Sequence, residues 1–539
     1  MPERVGGHLV AESLAALGAE AAFGVPGIHA LAIWEGLRES SIRVYGNRTE
    51  LSAGFAADGY ARSSGHPAPL LLSTGPGALN SLTAIMEAAS SHVPVVAISS
   101  QIPADLVGRG RGYLHELPDQ LASFAPLVKY AARAHSVESI PGLLAQAWRI
   151  ALTPPSGPVF VEIPVDLLKA PAVIAPVTEL EAMVARQCAP LEQVGLAATA
   201  LAHARRPVIW AGGGVIRSGA RPELRELAEL LDAPVATTYM GKGALPDEHP
   251  LAAGSGCDEA ALQELLSGAD VVLCVGTELG AETTADYSLD LPGQVIHLDA
   301  APERIGVTYS ALPLVGDAKL TLLALVAELS PRPPRPPSDA PDRVAAVRRR
   351  IRDGLATQDR AVEMGLLASI AQILPADAIT AWDMTILGYW AAPHLPVSGG
   401  QQFLYPLGSG TLGYAWPAAL GARAAHPQRP VLAVVGDGGL QYALAELGTA
   451  AQHRIAAKLL VIDDGGYGIL REYQRDEFGE TTAVELPGKD IEAIAASFGV
   501  PVRTATPEDL ADQLAWALAL DGPAVVVLHQ RIAAARPTA

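Results

Sequence analysis

The stretch Val431-Leu432-Ala433-Val434-Val435-Gly436-Asp437-Gly438-Gly439 decides the fold class of the last third of the chain. Its five apolar residues predict a buried strand, its glycines allow a tight turn, and a helix is expected from near Leu440. The pattern recurs at Lys458-Leu459-Leu460-Val461-Ile462, which runs into Asp463-Asp464-Gly465-Gly466. Successive parallel strands end at one edge of a sheet, so Asp437 and Asp464 should lie close together.

Two acidic side chains at that edge are suited to a metal-bound phosphate. Backbone N–H groups at a helix start favour anions, whereas an Asp by itself would repel phosphate. A hard cation such as Mg²⁺ often joins one or two carboxylates to a phosphate, and the Gly466 carbonyl is a further candidate ligand. Two plainer interpretations stay open: Asp437 as an N-capping residue, and a solvated acidic loop around Asp464.

Similar strand–helix units fill the rest of the sequence. Short apolar runs alternate with helical stretches, which is typical of parallel sheets covered on both faces. The runs lie at residues 70–72, 93–98, 159–163, 207–210, 271–275, 295–298 and 524–528. We predict an α/β fold of three open, mostly parallel-sheet domains, at residues 1–170, 188–329 and 343–539. The Pro-rich run at 330–342 indicates a semi-rigid linker.

The composition restricts the functional class. Half of the 539 residues are hydrophobic and 18% are charged, which excludes disorder as the main state. A formal net charge of −19 without a basic block argues against nucleic acid as a partner. Cys188, Cys257 and Cys274 have no metal or redox spacing. Without a signal peptide or a run of about 18 apolar residues, we expect a cytoplasmic protein with no membrane partner.

The acidic turns carry a family resemblance. Gly436-Asp437-Gly438, followed by the acidic and glycine residues at 464 and 466, resembles the metal–diphosphate motif of thiamine diphosphate enzymes. The resemblance implies thiamine diphosphate and Mg²⁺ as cofactors, with Asp437, Asp464 and Gly466 as metal ligands. That family usually has Asn where this chain has Asp464, which adds a negative charge beside the diphosphate. The residues implied beside the diphosphate are Asp437, Gly438, Gly439, Tyr467, Gly468 and Ile469.

Other loops match further parts of the same family pattern. Glu50, which follows a strand and opens a helical stretch, resembles the catalytic Glu of the family. Members often carry Arg-His-Glu where this chain has Arg48-Thr49-Glu50, and a charge satisfying the helix dipole is the plainer interpretation of Glu50. The resemblance implies pyrimidine contacts from two first-domain loops and from a Gly-rich segment, where Gly410 offers its carbonyl and Leu412 forms an apolar wedge. The residues implied in the two loops are Pro26, Gly27, Thr74, Gly75 and Asn80. As an alternative, Leu412 is plain core.

The resemblance covers nearly the whole chain. It implies the domain order pyrimidine-binding, central Rossmann-like and diphosphate-binding, as in the acetolactate synthase and 2-oxo acid decarboxylase group. The implied reaction is non-oxidative decarboxylation of a small-molecule 2-oxo acid through a C2 carbanion and an enamine. In this family the two half-sites face each other across subunits, so a homodimer or a dimer of dimers is expected. For the central domain, nucleotide binding and a purely structural role both stay open.

The segment at residues 108–120 bears on the substrate. Its Gly-Arg-Gly-Arg and Leu-His-Glu-Leu-Pro-Asp-Gln elements resemble 5-guanidino-2-oxopentanoate decarboxylases, which act on the oxo acid of arginine. The resemblance implies proton transfer by His115 or His29. The implied substrate residues are Glu116, Gln120 and Tyr473, the last in place of the Trp usual in acetolactate synthases. Glu116 and Asp119 are the carboxylates that could receive a cationic guanidinium. Alternatively, His29 packs in its loop, and Glu116 and Asp119 only cap backbone.

Three functional hypotheses remain from the sequence. The first is a thiamine diphosphate-dependent decarboxylase, and the second is an acetolactate synthase-type carboligase. The third is a non-catalytic binding protein on a degenerate enzyme scaffold. It is considered because Thr49 and Asp464 replace the His and Asn that are usual in the family. A dehydrogenase ranks last, because no Gly-x-Gly-x-x-Gly follows a strand with an acidic residue about 20 positions on.

Overall fold

The computed structural model describes residues 4–332 and 338–538, and within them the chain forms three six-stranded sheets. All strand pairs of these sheets are parallel. The predicted α/β class with three open parallel sheets is therefore confirmed. The predicted domain boundaries stay predictions, and the linker lies partly outside the described residues, at 333–337.

The first sheet has the strand order β2-β1-β3-β4-β6-β5. Its strands are β1 (Ala21–Gly24), β2 (Arg43–Gly46), β3 (Ala68–Leu72), β4 (Val95–Gln101), β5 (Ala131–Arg133) and β6 (Val159–Pro164). The helices around it are α1 (Gly6–Ala16), α2 (Leu31–Arg38), α3 (Glu50–Ser64), α4 (Pro76–Asn80), α5 (Leu82–Ser90), α6 (Gln120–Phe124), α7 (Ile140–Leu152) and α8 (Val165–Lys169). The residues of β3, β4 and β6 are all buried, because helices cover both faces of the sheet.

The central sheet reads β9-β8-β7-β10-β11-β12, which is the strand order of a Rossmann dinucleotide-binding fold. Its strands are β7 (Pro207–Ala211), β8 (Val235–Thr237), β9 (Ala252–Ser255), β10 (Val271–Val275), β11 (Gln294–Asp299) and β12 (Ala311–Val315). Its helices are α9 (Leu191–His203), α10 (Gly213–Ser218), α11 (Arg221–Leu231), α12 (Ala260–Ser267) and α13 (Ala318–Leu329). The Rossmann-like prediction for this part of the chain is confirmed.

The third sheet reads β14-β13-β15-β16-β18-β17 and so repeats the strand order of the first. Its strands are β13 (Ile379–Trp382), β14 (Gln402–Leu404), β15 (Val431–Gly436), β16 (Lys458–Asp463), β17 (Val502–Ala505) and β18 (Ala524–His529). The helices of this part are α14 (Ala340–Ala356), α15 (Ala361–Ile373), α16 (Ile386–His394), α17 (Ala415–Ala425), α18 (Asp437–Leu440), α19 (Glu446–His453), α20 (Gly468–Phe478), α21 (Ile491–Ser497) and α22 (Leu510–Leu518).

The first and third sheets share one hydrophobic core through the crossing of α3 and α17. A Cβ added at Gly59 would overlap the Ala418 carbonyl, and one added at Gly421 would overlap the Ala56 carbonyl. The two helix backbones therefore touch directly, which only glycine allows. Thr49 caps the start of α3, where its hydroxyl accepts the Ser52 N–H at 3.1 Å.

A buried charged network lies beside this crossing. Arg62 on α3 pairs with Asp58 at 2.6 Å and with Glu87 on α5 at 2.7 Å. The Tyr414 hydroxyl donates to Asp58 at 2.8 Å, and Glu87 accepts both the N–H and the hydroxyl of Ser409 at 2.7 Å. These bonds attach the segment before α17 to the first domain.

We expect Gly421→Ala to destabilise the protein by about 1–3 kcal/mol, because the added methyl group has to push α17 away from α3. Gly142→Ala in α7 is the matched control: its Cβ would meet open space, and alanine favours a helix by up to about 1 kcal/mol. Urea unfolding midpoints test both variants. Equal midpoints for the two variants would contradict the close crossing.

Candidate active site

The Gly-rich turn after β15 places Asp437 at the first position of α18, with 1% of its surface exposed. Its Oδ1 accepts the Asp464 N–H at 3.4 Å, and its Oδ2 lies 2.5 Å from the Nζ of Lys489. The carboxyl ends of β15 and β16 therefore bring the two predicted acidic ligands together.

Gly466, the third predicted ligand, belongs to the same cluster. A Cβ added at Gly438 would stand 3.4 Å from the Gly466 carbonyl oxygen, so that oxygen faces the Gly-rich turn. The Gly466 N–H donates to Asp464 Oδ1 at 3.1 Å, which folds the loop back on the carboxylate. The Tyr467 ring covers Gly438 from the other side.

The charges of this cluster are strongly coupled. Burial and the neighbouring Asp437 carboxylate together raise the pKa of Asp464 to about 6, against the opposing effect of Arg471. Burial also raises the pKa of Asp437, against the effect of Lys489. Arg471, which is 5% exposed, lies 3.8 Å from Asp464 Oδ1 and is held by Glu485 at 2.7 Å.

The helix α20 begins at this edge. Gly468 and Ile469 are its first two residues, so their N–H groups have no partner within the helix. A Cβ added at Gly468 would overlap Asp464 Oδ2. Tyr473, one turn after Ile469, keeps 57% of its surface exposed.

The Gly-rich segment before α17, residues 408–413, lies next to the Gly-rich turn that follows β15. Gly410 has a φ of +66°, and Leu412 is half-buried. The Gly413 N–H donates to Asp383 Oδ2 at 3.0 Å, and Asp383 also contacts Gly439. Burial raises the pKa of Asp383 to about 6 despite these N–H donors.

Glu50 opens α3 in the first domain and is half-buried. Its Oε2 accepts the Asn80 amide at 3.2 Å, and its Oε1 is 3.0 Å from the position of a Cβ on Gly77. Asn80 itself is exposed. Within residues 4–332 and 338–538, no hydrogen bond or ion pair joins Glu50 to Gly410 or Asp437.

The two predicted pyrimidine loops pack against each other. A Cβ on Gly27, next to Pro26, would overlap Ser73 Oγ. Thr74 is fully buried, and its N–H donates to the Ser100 hydroxyl at 3.0 Å. Gly75 has a φ of +70°, a conformation that only glycine adopts readily.

Gln120 was predicted to contact substrate, but its side chain is completely buried and serves the Gly75 loop. Its Oε1 accepts the Gly75 N–H at 2.8 Å, and its amide donates to Glu162 at 2.9 Å. Arg133 pairs with Glu162 at 2.5 Å, while burial raises the pKa of Glu162. The geometry indicates a positioning residue, and a substrate role for Gln120 stays a prediction.

The segment at 113–116 lies over the same loop. His115, with a φ of +68°, places its carbonyl against Gly75, and its ring centre is 5.2 Å from that of His29. The Nδ1 atoms of both imidazoles are buried and have no hydrogen-bond partner among the described residues. Burial, with a smaller effect of His115, lowers the pKa of His29. Glu116 accepts the Gly112 and Tyr113 N–H groups at 2.6 and 2.9 Å, so the alternative capping role is present.

Some residues of the site were missed by the sequence reasoning. Asp383 follows the apolar strand β13, so the signal that identified Asp437 could have found it. Glu446 is fully buried and accepts the Arg48 and Thr49 N–H groups at 2.8 and 3.3 Å, which holds the turn before Glu50. No local pattern points to Glu446 or Lys489, because their partners are distant in the sequence.

The residues present fit a metal-bound diphosphate. The buried Asp437 Oδ2 has an ammonium group as its sole partner among the described residues. Glycines around it let Tyr467, Asp383 and the Gly466 carbonyl oxygen approach the turn more closely than side chains would permit. Carboxylate and carbonyl oxygens are the donors that Mg²⁺ takes, and helix starts accept phosphate. Fold and site together define an α/β enzyme that binds a diphosphate cofactor at a sheet edge.

Comparison with known proteins identifies the family. Models of the thiamine pyrophosphate enzyme N-terminal binding, central and C-terminal binding domains match residues 4–123, 194–325 and 383–528. A probable 2-ketoarginine decarboxylase of Pseudomonas aeruginosa is 38% identical over 512 residues, which cover 94% of this chain and 89% of that protein. A probable acetolactate synthase large subunit of Methanocaldococcus jannaschii is 31% identical over 540 residues, 96% and 90% of the two chains. An acetolactate synthase of Mycobacterium bovis is 32% identical over 557 residues, 98% and 88%.

The chain belongs to the thiamine pyrophosphate (thiamine diphosphate) enzyme family. It is a thiamine diphosphate-dependent decarboxylase or carboligase, as predicted from the motifs. Among the described helices, none has the length and apolar character needed to cross a membrane.

We expect divalent metal affinity to depend on pH through Asp464. Its raised pKa keeps the carboxyl group largely protonated below about pH 6, so a metal ion that takes this group as a ligand has to displace the proton. With thiamine diphosphate at saturation, the dissociation constant for Mn²⁺ should fall about tenfold per pH unit up to 6 and then level off. Titration calorimetry between pH 5 and 7.5 measures this, and Asp464→Asn should flatten the profile. An unchanged profile in Asp464→Asn would exclude Asp464 as its origin.

Proposed function

We propose that this protein catalyses the thiamine diphosphate- and Mg²⁺-dependent, non-oxidative decarboxylation of a 2-oxo acid. The observation that carries the proposal is the meeting of Asp437, Asp464 and the Gly466 carbonyl at the ends of β15 and β16. These residues would hold Mg²⁺, and the N–H groups of Gly438, Gly439 and the start of α20 would bind the diphosphate.

The remaining predicted residues would bind the organic part of the cofactor. The loops at Gly27 and Gly75 pack closely against Ser73 and His115, which only glycine allows, and they would form the wall beside a flat ring. The Gly410 carbonyl would accept from that ring. Leu412, next to it, would be the apolar support. When bound, thiamine diphosphate supplies an electron sink for the bond between the carboxylate and the carbonyl carbon of the substrate.

Glu50 would handle the proton at the cofactor ring. Its Oε2 is held by Asn80, so its Oε1, beside Gly77, is the atom that would carry the proton to a ring nitrogen. His115 and His29 would exchange protons with the substrate. Their rings lie together, and their unpartnered Nδ1 atoms are suited to accept or donate one proton.

A second copy of the chain would complete the site. In the part of the chain that the structure describes, Glu50 makes no hydrogen bond to the third domain, and Asn80 beside it is open to solvent. Large apolar side chains are exposed around both half-sites, which is typical of surfaces that bind another protein. They are Ile28, Leu31, Tyr113 and Leu114 in the first domain and Tyr442, Leu470 and Tyr473 in the third. We therefore propose a homodimer with two sites, or a dimer of such dimers.

The proposed substrate is 5-guanidino-2-oxopentanoate, which is 2-ketoarginine. The relative at 38% identity and the segment at 108–120 support it. A guanidinium group binds carboxylates through paired hydrogen bonds. Glu116 keeps acceptor capacity while it caps backbone, because a carboxylate has about four lone-pair sites. Tyr473, exposed on α20, is the proposed third-domain contact.

An acetolactate synthase-type carboligase is the second candidate function. The relatives from Methanocaldococcus jannaschii and Mycobacterium bovis support it at 31% and 32% identity. The third hypothesis from the sequence, a non-catalytic binding protein, rested on Thr49 and Asp464, which depart from the family pattern, and the decarboxylase and synthase relatives argue against it. Cofactor binding tests the third candidate, and product analysis separates the first two.

We expect wild-type protein to bind thiamine diphosphate only with Mg²⁺ present, and Asp437→Ala to lose this binding. Loss of groups that support metal ligands costs about 10–100-fold in affinity, so loss of a ligand should cost about 100-fold or more. Asp476→Ala, which removes an exposed carboxylate from α20, should bind normally. Titration calorimetry of the metal-stripped wild type and of both variants measures the affinity for thiamine diphosphate with and without Mg²⁺. If the wild type binds no thiamine diphosphate in the presence of Mg²⁺, the proposed function is wrong.

We expect release of carbon dioxide from 5-guanidino-2-oxopentanoate with a kcat/KM at least about tenfold above that for pyruvate. Glu50→Gln should lower kcat by about 10²–10⁴-fold, since proton transfer is lost. Glu35→Gln on α2 is the exposed control and should be unaffected. Acetolactate as the main product from pyruvate would favour the carboligase instead.

A further inference from the structure

Lys489 occupies the place beside Asp437 that a metal ion would need. It precedes α21, and its Nζ lies 2.5 Å from Asp437 Oδ2 and 3.3 Å from Asp463 Oδ1. The same Nζ donates to the Leu486 carbonyl at 2.8 Å. With 15% of its side chain exposed, the ammonium is largely withdrawn from water. It is the ion-pair partner of Asp437 among the described residues.

This placement puts an ammonium on Asp437 Oδ2, so a second cation at that oxygen has to compete with Lys489. Its Oδ1 accepts the Asp464 N–H, and its Oδ2 is covered by the ammonium. An ammonium group and a divalent cation on the same oxygen would repel each other strongly at this depth of burial. A metal ion that binds Asp437 Oδ2 therefore has to displace Lys489 from it.

The charge balance explains why a cation stands there. Asp437, Asp463 and Asp464 are three carboxylates within one loop cluster, and Asp464 stands where the family usually has a neutral Asn. Lys489 contacts the first two, and Arg471 lies 3.8 Å from the third. A buried carboxylate without a counter-charge is costly, so Lys489 balances Asp437 and Asp463 while Arg471 balances Asp464.

An arriving diphosphate changes this balance. Its oxygens would enter next to the Gly-rich turn and give the ammonium a strong alternative acceptor. Asp437 Oδ2 then becomes available to the metal, which itself is attracted by the new negative charge. We propose that Lys489 is a resident cation that excludes free divalent metal and thereby couples metal binding to diphosphate binding. This inference depends on the proposed metal–diphosphate function of the site.

The test measures Mn²⁺ binding by titration calorimetry on metal-stripped protein, first without and then with saturating thiamine diphosphate. Without cofactor, Lys489→Met should bind Mn²⁺ about tenfold more tightly than wild type. The coupling factor is the Mn²⁺ dissociation constant without thiamine diphosphate divided by the constant with it. In Lys489→Met this factor should be at least about tenfold lower than in the wild type. Lys489→Arg should behave as wild type, because it restores the charge.

Two controls keep the result specific. Lys489→Gln, which retains a donor for Leu486, guards against misfolding of the Met variant and should show the same gain. Arg475→Gln removes one exposed positive charge from α20 and should change Mn²⁺ affinity less than threefold. A change below threefold in both Lys489→Met and Lys489→Gln would overturn the inference. If the wild type shows no Mg²⁺-dependent cofactor binding at all, the proposed function fails instead.

Discussion

The crossing of α3 and α17 is the contact on which the rest of the structure depends. Gly59 and Gly421 let the two backbones touch, and Arg62 joins buried carboxylates from α3 and α5 beside them. Removing Arg62 would leave those charges unpaired in the core, which typically costs about 3–5 kcal/mol. Each helix continues directly from a site loop: Glu50 begins α3, and the Gly410 segment leads into α17. The crossing therefore sets the relative position of two loops that are distant in the sequence.

Local polar contacts then fix each half-site on this frame. Glu446 holds the turn before Glu50, Gln120 holds Gly75, and Asp383 holds Gly413. All three side chains are buried, and their partners are backbone N–H groups of site loops. Such bonds in a low-dielectric interior are strong and leave few alternative conformations. The acidic edge of the third sheet differs, because there carboxylates are balanced by the cations of Lys489 and Arg471.

The sequence predicted the central strands of all three sheets, because their residues are buried on both faces and form continuous apolar runs. Edge strands such as β5 (Ala131–Arg133) and β14 (Gln402–Leu404) gave no such run, since they are short and partly exposed. At the site, Asp437 and Asp464 were predictable because each ends an apolar strand. The hydrogen bond from the Gly75 N–H to Gln120 Oε1 was not predictable, because no local pattern links the two residues.

The sequence by itself determined the fold class, the family and the pair of acidic turns, because strand periodicity and Gly-Asp-Gly spacing are local properties of the chain. Only the tertiary structure decided which groups accompany those turns. Lys489, which follows α20 in the sequence, forms an ion pair with Asp437. Glu446 accepts a hydrogen bond from a first-domain turn nearly 400 residues away. The packing of the three sheets determines which residues meet in this way. Packing depends on non-local contacts, and these produce no periodic pattern in the sequence.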